Sequence, residues 1–73
     1  MEEIDARGLL CPLPVLRLRK RLTRLAPGDE ARLLADDPAA VIDVPHFCAE
    51  AGHALVSVAD TDDGQVYRIR KGG

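Results

Sequence analysis

Apolar and polar positions follow two different periods along this chain. From Pro12 to about Leu25, Val15, Leu18, Leu22 and Leu25 recur at spacings of three and four. That spacing lines them up as one stripe of a helix. Arg17, Lys20, Arg21 and Arg24 fall on the opposite side, with Arg19 beside them. Ala26-Pro27-Gly28-Asp29 stops the helix with a proline just past its end and a glycine in a turn. Glu30-Ala31-Arg32-Leu33-Leu34-Ala35 then alternates at a period of two, which predicts a strand. Ahead of the helix, Glu3-Ile4-Asp5-Ala6 predicts a shorter one. Strand, helix and strand joined by short connections imply a right-handed crossover and a parallel pair.

The second half repeats the scheme and then changes it. Asp36-Asp37-Pro38 reads as a helix start, an aspartate cap followed by proline at the first helical position. Capping accounts for the two adjacent carboxylates more simply than a metal or acid/base pair does. The second helix is expected from Ala39 to Ala51, with Val41, Ile42, Val44, Phe47, Cys48 and Ala51 on its apolar side. Pro45 lies inside this run and predicts a kink or a break into two pieces. Gly52 ends the helix. Leu55 to Ala59 alternates, Thr61-Asp62-Asp63-Gly64 is a hairpin turn, and Gln65 to Arg70 alternates again. Two helices with one apolar stripe each and four short strands give an α+β two-layer sandwich.

Length and composition narrow the function. Seventy-three residues make a single domain, 1–73, with a thin core, since a chain of this size buries only about 60% of its unfolded surface. At 47% hydrophobic and 30% charged the chain is globular and not disordered. Aromatics are 3%, there is no Trp, and the net charge is -2. A base-stacking platform and a basic phosphate-binding domain are therefore both unexpected, and no direct nucleic-acid partner is predicted. No apolar run reaches transmembrane length, and no signal segment precedes the predicted fold. The expectation is a cytoplasmic chain with no membrane contact and reduced thiols. Its 2 cysteines, Cys11 and Cys48, do not form a C-x-x-C pair, and with His46 and His53 they match no zinc spacing. Neither a metal nor a cofactor is expected.

Candidate chemistry concentrates in Arg7-Gly8-Leu9-Leu10-Cys11-Pro12-Leu13-Pro14, where the first strand runs into the first helix. A cysteine at a helix N-terminus faces unpaired N–H groups and the positive end of the dipole, which favour the thiolate. Pro12 suits the first helical position, and Pro14 still lies in the first turn. Both stiffen the mount of Cys11. Both also remove donors, so activation is left to the dipole and the remaining amides. Gly8 suits the bend between strand and helix. The competing reading makes Cys11 a small buried hydrophobe. Cys48, beside Phe47 on an apolar side, reads as structural; a resolving partner for oxidised Cys11 is the alternative. The basic residues Arg17, Lys20, Arg21 and Arg24 are either a solvated face or a docking face for an acidic partner.

The run Asp5-x-x-Gly8-Leu9-x-Cys11-Pro12-x-Pro14 resembles the signature of the TusA family of sulfur carriers, also called SirA-like. Later blocks resemble the family in order: Pro27-Gly28, Asp36-Asp37-Pro38-Ala39, Pro45-x-Phe47-Cys48, Gly52-His53-x-Leu55, and Tyr67-Arg68-Ile69 with Lys71. The resemblance implies a βαβαββ fold, with a mixed four-stranded sheet and two helices on one face. It implies that Cys11 accepts a sulfane sulfur as a persulfide and hands it on. Implied donors are cysteine desulfurases or rhodanese-like proteins. Implied acceptors are DsrE-like sulfurtransferases or routes to tRNA thiolation, molybdenum cofactor or sulfur oxidation. Such a chain is a carrier with sulfurtransferase character and not a self-sufficient enzyme. Exchange at sulfur depends on thiolate fraction and access and needs no metal or deep pocket.

Three other readings compete. The terminal Lys71-Gly72-Gly73 resembles the end of ubiquitin-like carriers that hold a thiocarboxylate. The basic helix face alone could make a non-catalytic interaction or regulatory module. Cys11 and Cys48 could form a peroxide-sensing pair.

Overall fold

The computed structural model describes all residues, Met1–Gly73. In chain order the elements are β1 (Glu2–Asp5), α1 (Leu13–Leu22), β2 (Glu30–Ala35), α2 (Ala40–Ala51), β3 (Ala54–Thr61) and β4 (Gly64–Arg70). The sheet order is β1-β2-β4-β3. β1 runs parallel to β2, and β4 is antiparallel to both β2 and β3. This is the expected α+β arrangement with a mixed four-stranded sheet.

Register explains why the strands alternate as they do. Ile4 pairs with Leu33, and Leu33 with Tyr67; Ala31 pairs with Ile69, and Ile69 with Leu55. Side chains on one face of a sheet repeat every second residue, so these rows meet the helices together. Ile4, Leu33, Tyr67 and Ile69 are fully buried in one cluster with Leu18, Leu22, Val44 and Cys48. Tyr67 is the largest of them, and its hydroxyl donates to Gln65 Oε1 at 3.1 Å. The opposite face carries charge: Glu30 accepts from Arg68 at 2.6 Å and from Arg70 at 3.1 Å.

Three details differ from the sequence expectation. α1 ends at Leu22, short of Leu25, where the Thr23 hydroxyl donates to the Lys20 carbonyl at 2.6 Å and closes the last turn. Val15 and Leu25 still pack against the core from its two ends. α2 begins at Ala40 rather than at Pro38 or Ala39. Finally, α2 runs through Pro45 as one helix, not two pieces. The proline deprives only the Val41 carbonyl of its helical donor, and Val41 is exposed, so water can replace it. The buried stripe Ala40, Val44 and Cys48 holds both halves to the sheet. Gly52 ends α2 in the left-handed conformation at φ 79, and its N–H and that of His53 both bond to the Cys48 carbonyl.

Candidate functional site

Because β1 and β2 are parallel, the loops that follow them emerge at the same edge of the sheet. The loop after β1 carries Gly8 and Cys11; the loop after β2 carries Asp36 and Asp37. The two loops are stapled together. Gly8 sits at φ 82, in the left-handed region that glycine enters without strain. Its N–H donates to both Asp36 carboxylate oxygens, at 3.0 and 3.1 Å. The Cys11 N–H donates to Asp37 Oδ2 at 2.6 Å, and Asp37 Oδ1 accepts from Ala39 N at 3.2 Å. The carboxylate of Asp37 thus ties the backbone of Cys11 to the approach of α2. The expected helix cap is absent, for α2 has Ala39 at its N-cap and no side-chain cap bond. The two aspartates have been spent on the cysteine loop instead.

Arg7 braces the same loop. It donates to Asp5 from its backbone and guanidinium and to Asp63 in the β3–β4 turn at 2.9 Å. These bonds hold the Asp5 carboxyl down to about 2, well below its ordinary value.

Cys11 is exposed, and Cys48 is 2% exposed; both are free thiols. The reading of Cys11 as a buried hydrophobe is therefore excluded. Burial also pushes the Cys48 thiol up, away from reactivity. The expected activation of Cys11 by α1 is not found. Pro12 is the N-cap and not the first helical residue, so Cys11 lies one position outside the helix, and Pro14 is buried at the second helical position. Of residues 12–14 only Leu13 has an N–H, and it is bonded to the Leu10 carbonyl at 2.8 Å. The sulfur instead opens onto a cleft of about 470 Å³ between the helices, lined by Val15 and Arg19 of α1 and Asp43, Phe47 and Glu50 of α2. Asp43 lines the same cleft as the sulfur. Its nearby carboxylate, desolvation and the negative charge of Asp37 push the thiol up from its ordinary value. Carboxylates opposite the sulfur, rather than amides, set its ionisation.

The basic residues divide into two groups. Arg17 donates to the Asp5 carbonyl at 3.0 Å. Arg21 bonds to Glu2 at 2.6 Å and to the Glu3 carbonyl at 3.1 Å. These two fasten α1 to β1, and they line the same groove as Lys20 and Arg24. The side chains of Lys20 and Arg24 make no hydrogen bond or ion pair within the chain, and they border a shallow groove with Leu9, Leu13 and Leu16. Arg19 turns to the Cys11 cleft. No three His, Cys, Asp or Glu side chains converge as a metal site.

The sequence reading missed the role of Asp36, Asp37 and Asp43. For the first two a signal existed, since parallel strands bring their trailing loops together. For Asp43 none did, because its meeting with Cys11 depends on how the two helices pack.

The model of the family described as sulfurtransferase TusA matches residues 2–71. Among solved structures, a SirA-like protein from Desulfitobacterium hafniense superposes with a TM-score of 0.84 at 28% identity, with 100% of each chain covered.

Proposed function

This chain belongs to the sulfurtransferase TusA family, and from that premise we propose that Cys11 is the atom carrier, holding one sulfane sulfur as a persulfide between a donor and an acceptor protein. The observation that supports the assignment is access. Cys11 is exposed at an open cleft, whereas the other thiol is 2% exposed. The Cys11 thiolate attacks the outer sulfur of a donor persulfide. The donor's S–S bond breaks, the donor keeps the electron pair as its thiolate, and the proton lost from Cys11 returns to that thiolate or to solvent. Nothing is oxidised or reduced overall. Handover repeats the step with the acceptor thiolate as nucleophile.

Gly8, Pro12 and Pro14 hold the mount, together with Asp36 and Asp37. The donor is a cysteine desulfurase or a rhodanese-like protein, and the acceptor is DsrE-like or a comparable thiol protein, all in the cytoplasm. Lys20 and Arg24 beside the apolar groove of Leu9, Leu13 and Leu16 suit a partner surface that is acidic around an apolar centre. Residues 1–73 act as one domain.

The test is mass mapping after incubation with a persulfidated donor. Added sulfur on the Cys11 peptide, lost in Cys11→Ala, supports the carrier. Sulfur on the terminal peptide would favour a thiocarboxylate. Against that reading, the Gly72 N–H is bonded to His53 Nδ1 at 2.9 Å, so the tail is held down as far as Gly72.

A further inference from the structure

We propose that β3 is an association edge, on which a second copy of this chain pairs antiparallel, β3 to β3, and joins the two sheets into one. The outer strands of the sheet, β1 and β3, are treated in opposite ways. β1 has only 4 residues, and its edge is taken up from within: Arg17 and Arg21 of α1 donate to the Asp5 and Glu3 carbonyls at 3.0 and 3.1 Å. β3 has 8 residues, and its backbone is bonded only through the ladder to β4. Its outer row of N–H and C=O groups therefore has no partner in the chain. Edges that stay solitary are kept short, covered, or interrupted by lysine or proline. β3 carries no lysine, arginine, proline or glycine, and its one charge is Asp60. A register shift between Leu55 and Ser57 interrupts only its first half, and Ser57 to Thr61 runs regularly against Arg68 to Gly64.

The side chains fit a copy of the same strand. Val58 lies opposite the buried Tyr67 and so faces the helix side of the sheet, yet it is 46% exposed. Of β3, only Leu55 packs against the core. A two-fold axis through Val58 sets the two valines against each other, at the Cβ separation of about 4.5–5.5 Å where cross-strand pairs interact. The same register sets Ser57 against Ala59, and Asp60 against the exposed Val56, so no like charges meet. Charge also matches at the ends. Ala54 is paired with Arg70, so β3 begins beside Arg70 and Lys71 and runs into the acidic turn of Asp60, Asp62 and Asp63. Antiparallel pairing lays the acidic end of each copy along the basic end of the other, the same patch serving both as a closed two-fold contact requires. Cys11 follows β1, at the far edge of the sheet, so both sulfurs stay open in the dimer and the proposal does not depend on the carrier reading.

The experiment is sedimentation equilibrium of the full chain under reducing conditions: wild type, Val58→Lys and Val58→Asp alone, and the two variants mixed in equal amounts. The wild type should double its mass below about 1 mM protein. Each variant alone sets like charges across the axis and should raise the dissociation constant about tenfold. The mixture sets lysine against aspartate and should restore association. A wild type still monomeric at about 1 mM overturns the proposal and leaves the edge to an extended segment of a different protein. Undiminished association of either variant alone overturns it too, as does no recovery in the mixture, because mixing does not repair a loosened fold. Should a variant melt early, amide exchange of the wild type from Val56 to Ala59 decides alone. Exchange that slows with concentration supports the pairing, and exchange independent of concentration overturns it.

Discussion

Removing the Asp37 carboxylate should loosen the cysteine loop and the start of α2 at once. Asp37→Ala deletes two bonds, from Cys11 N at 2.6 Å and from Ala39 N at 3.2 Å. Hydrogen bonds to a charged acceptor contribute about 1.5–3 kcal/mol each when shielded. Asp37 is half-buried, so water replaces part of that loss. Loss of a side-chain acceptor at a helix start, a comparable case, costs about 0.5–2 kcal/mol. A total of about 1–2 kcal/mol is the reasonable expectation. For a domain of this size, 1 kcal/mol corresponds to about 4–8 °C in Tm, so the melt should fall by roughly 5–15 °C. That is a large share of the whole, since a chain of 73 residues is stable by about 4–11 kcal/mol. Asp37→Asn, which keeps one acceptor oxygen, should lie between. Asp36→Ala should cost less, because Asp36 is exposed and holds only the Gly8 N–H. Circular dichroism melting checks the stability, and amide exchange at Cys11 and Ala39 checks its location. If Asp37→Ala melts within about 1 °C of the wild type and Cys11 exchange is unchanged, the staple is not a structural tie.

Cys48→Ala should lower stability by about 1 kcal/mol through lost packing and leave sulfur loading intact, while Cys11→Ala abolishes loading with little change in melting; equal loading in both variants would contradict the division of roles. Lys20→Glu with Arg24→Glu should slow transfer from a protein donor and flatten its salt dependence without a change in stability beyond about 0.5 kcal/mol. Arg21→Glu should instead destabilise, because it sets like charge against Glu2. In acid the sign follows from the depressed carboxyls. Asp5 is held at about 2 by Arg7, and Asp63 and Glu30 are also lowered by arginine partners. An unfolded aspartate titrates near 3.9. The Asp5 contribution is therefore present above about pH 4 and is lost as pH falls through about 2, and those of Asp63 and Glu30 are lost in acid in the same sense. Arg7→Gln should blunt that loss, and an acid melt series parallel to the wild type would refute the link.

How far the sequence could be read depended on the range of the interaction. Val15, Leu18, Leu22 and Leu25 predicted the first helix from spacing alone, and β2 was legible to its last residue because Ala31, Leu33 and Ala35 face one way. Of the kink or break expected at Pro45, the break did not occur, because local propensity was outweighed by packing of Ala40, Val44 and Cys48 against the sheet. Asp36 and Asp37 were legible as acceptors, but of their donors only the Ala39 amide on Asp37 lies in the nearby chain. Their nearest amides in sequence are those of α2, whereas their partners Gly8 and Cys11 lie 28 and 26 residues away. Arg17 and Arg21 look equivalent to Lys20 and Arg24 on a helical wheel. Only the position of β1 separates them, since it brings the Asp5 and Glu3 carbonyls and the Glu2 carboxylate within reach.

The direction of the Cys11 shift has a consequence for traffic through the site. A more basic thiolate attacks better once formed, but it leaves less readily. The carboxylates of Asp43 and Asp37 therefore bias the sulfur toward uptake and against release, unless an acceptor complex relieves them. Asp43→Asn makes this visible if uptake and release are measured separately. At a pH above both midpoints the thiolate fraction no longer matters, and only intrinsic reactivity remains. With a Brønsted coefficient of 0.4–0.5, uptake from a small persulfide should then be slower in the variant, by about threefold for each unit of lowered basicity. Handover from the loaded variant to a small thiol should be faster, because its leaving sulfur is less basic. The two changes must be opposite in sign. If both rates rise, or both fall, charge at Asp43 does not govern the sulfur, and the raised thiol is a by-product of how the helices pack.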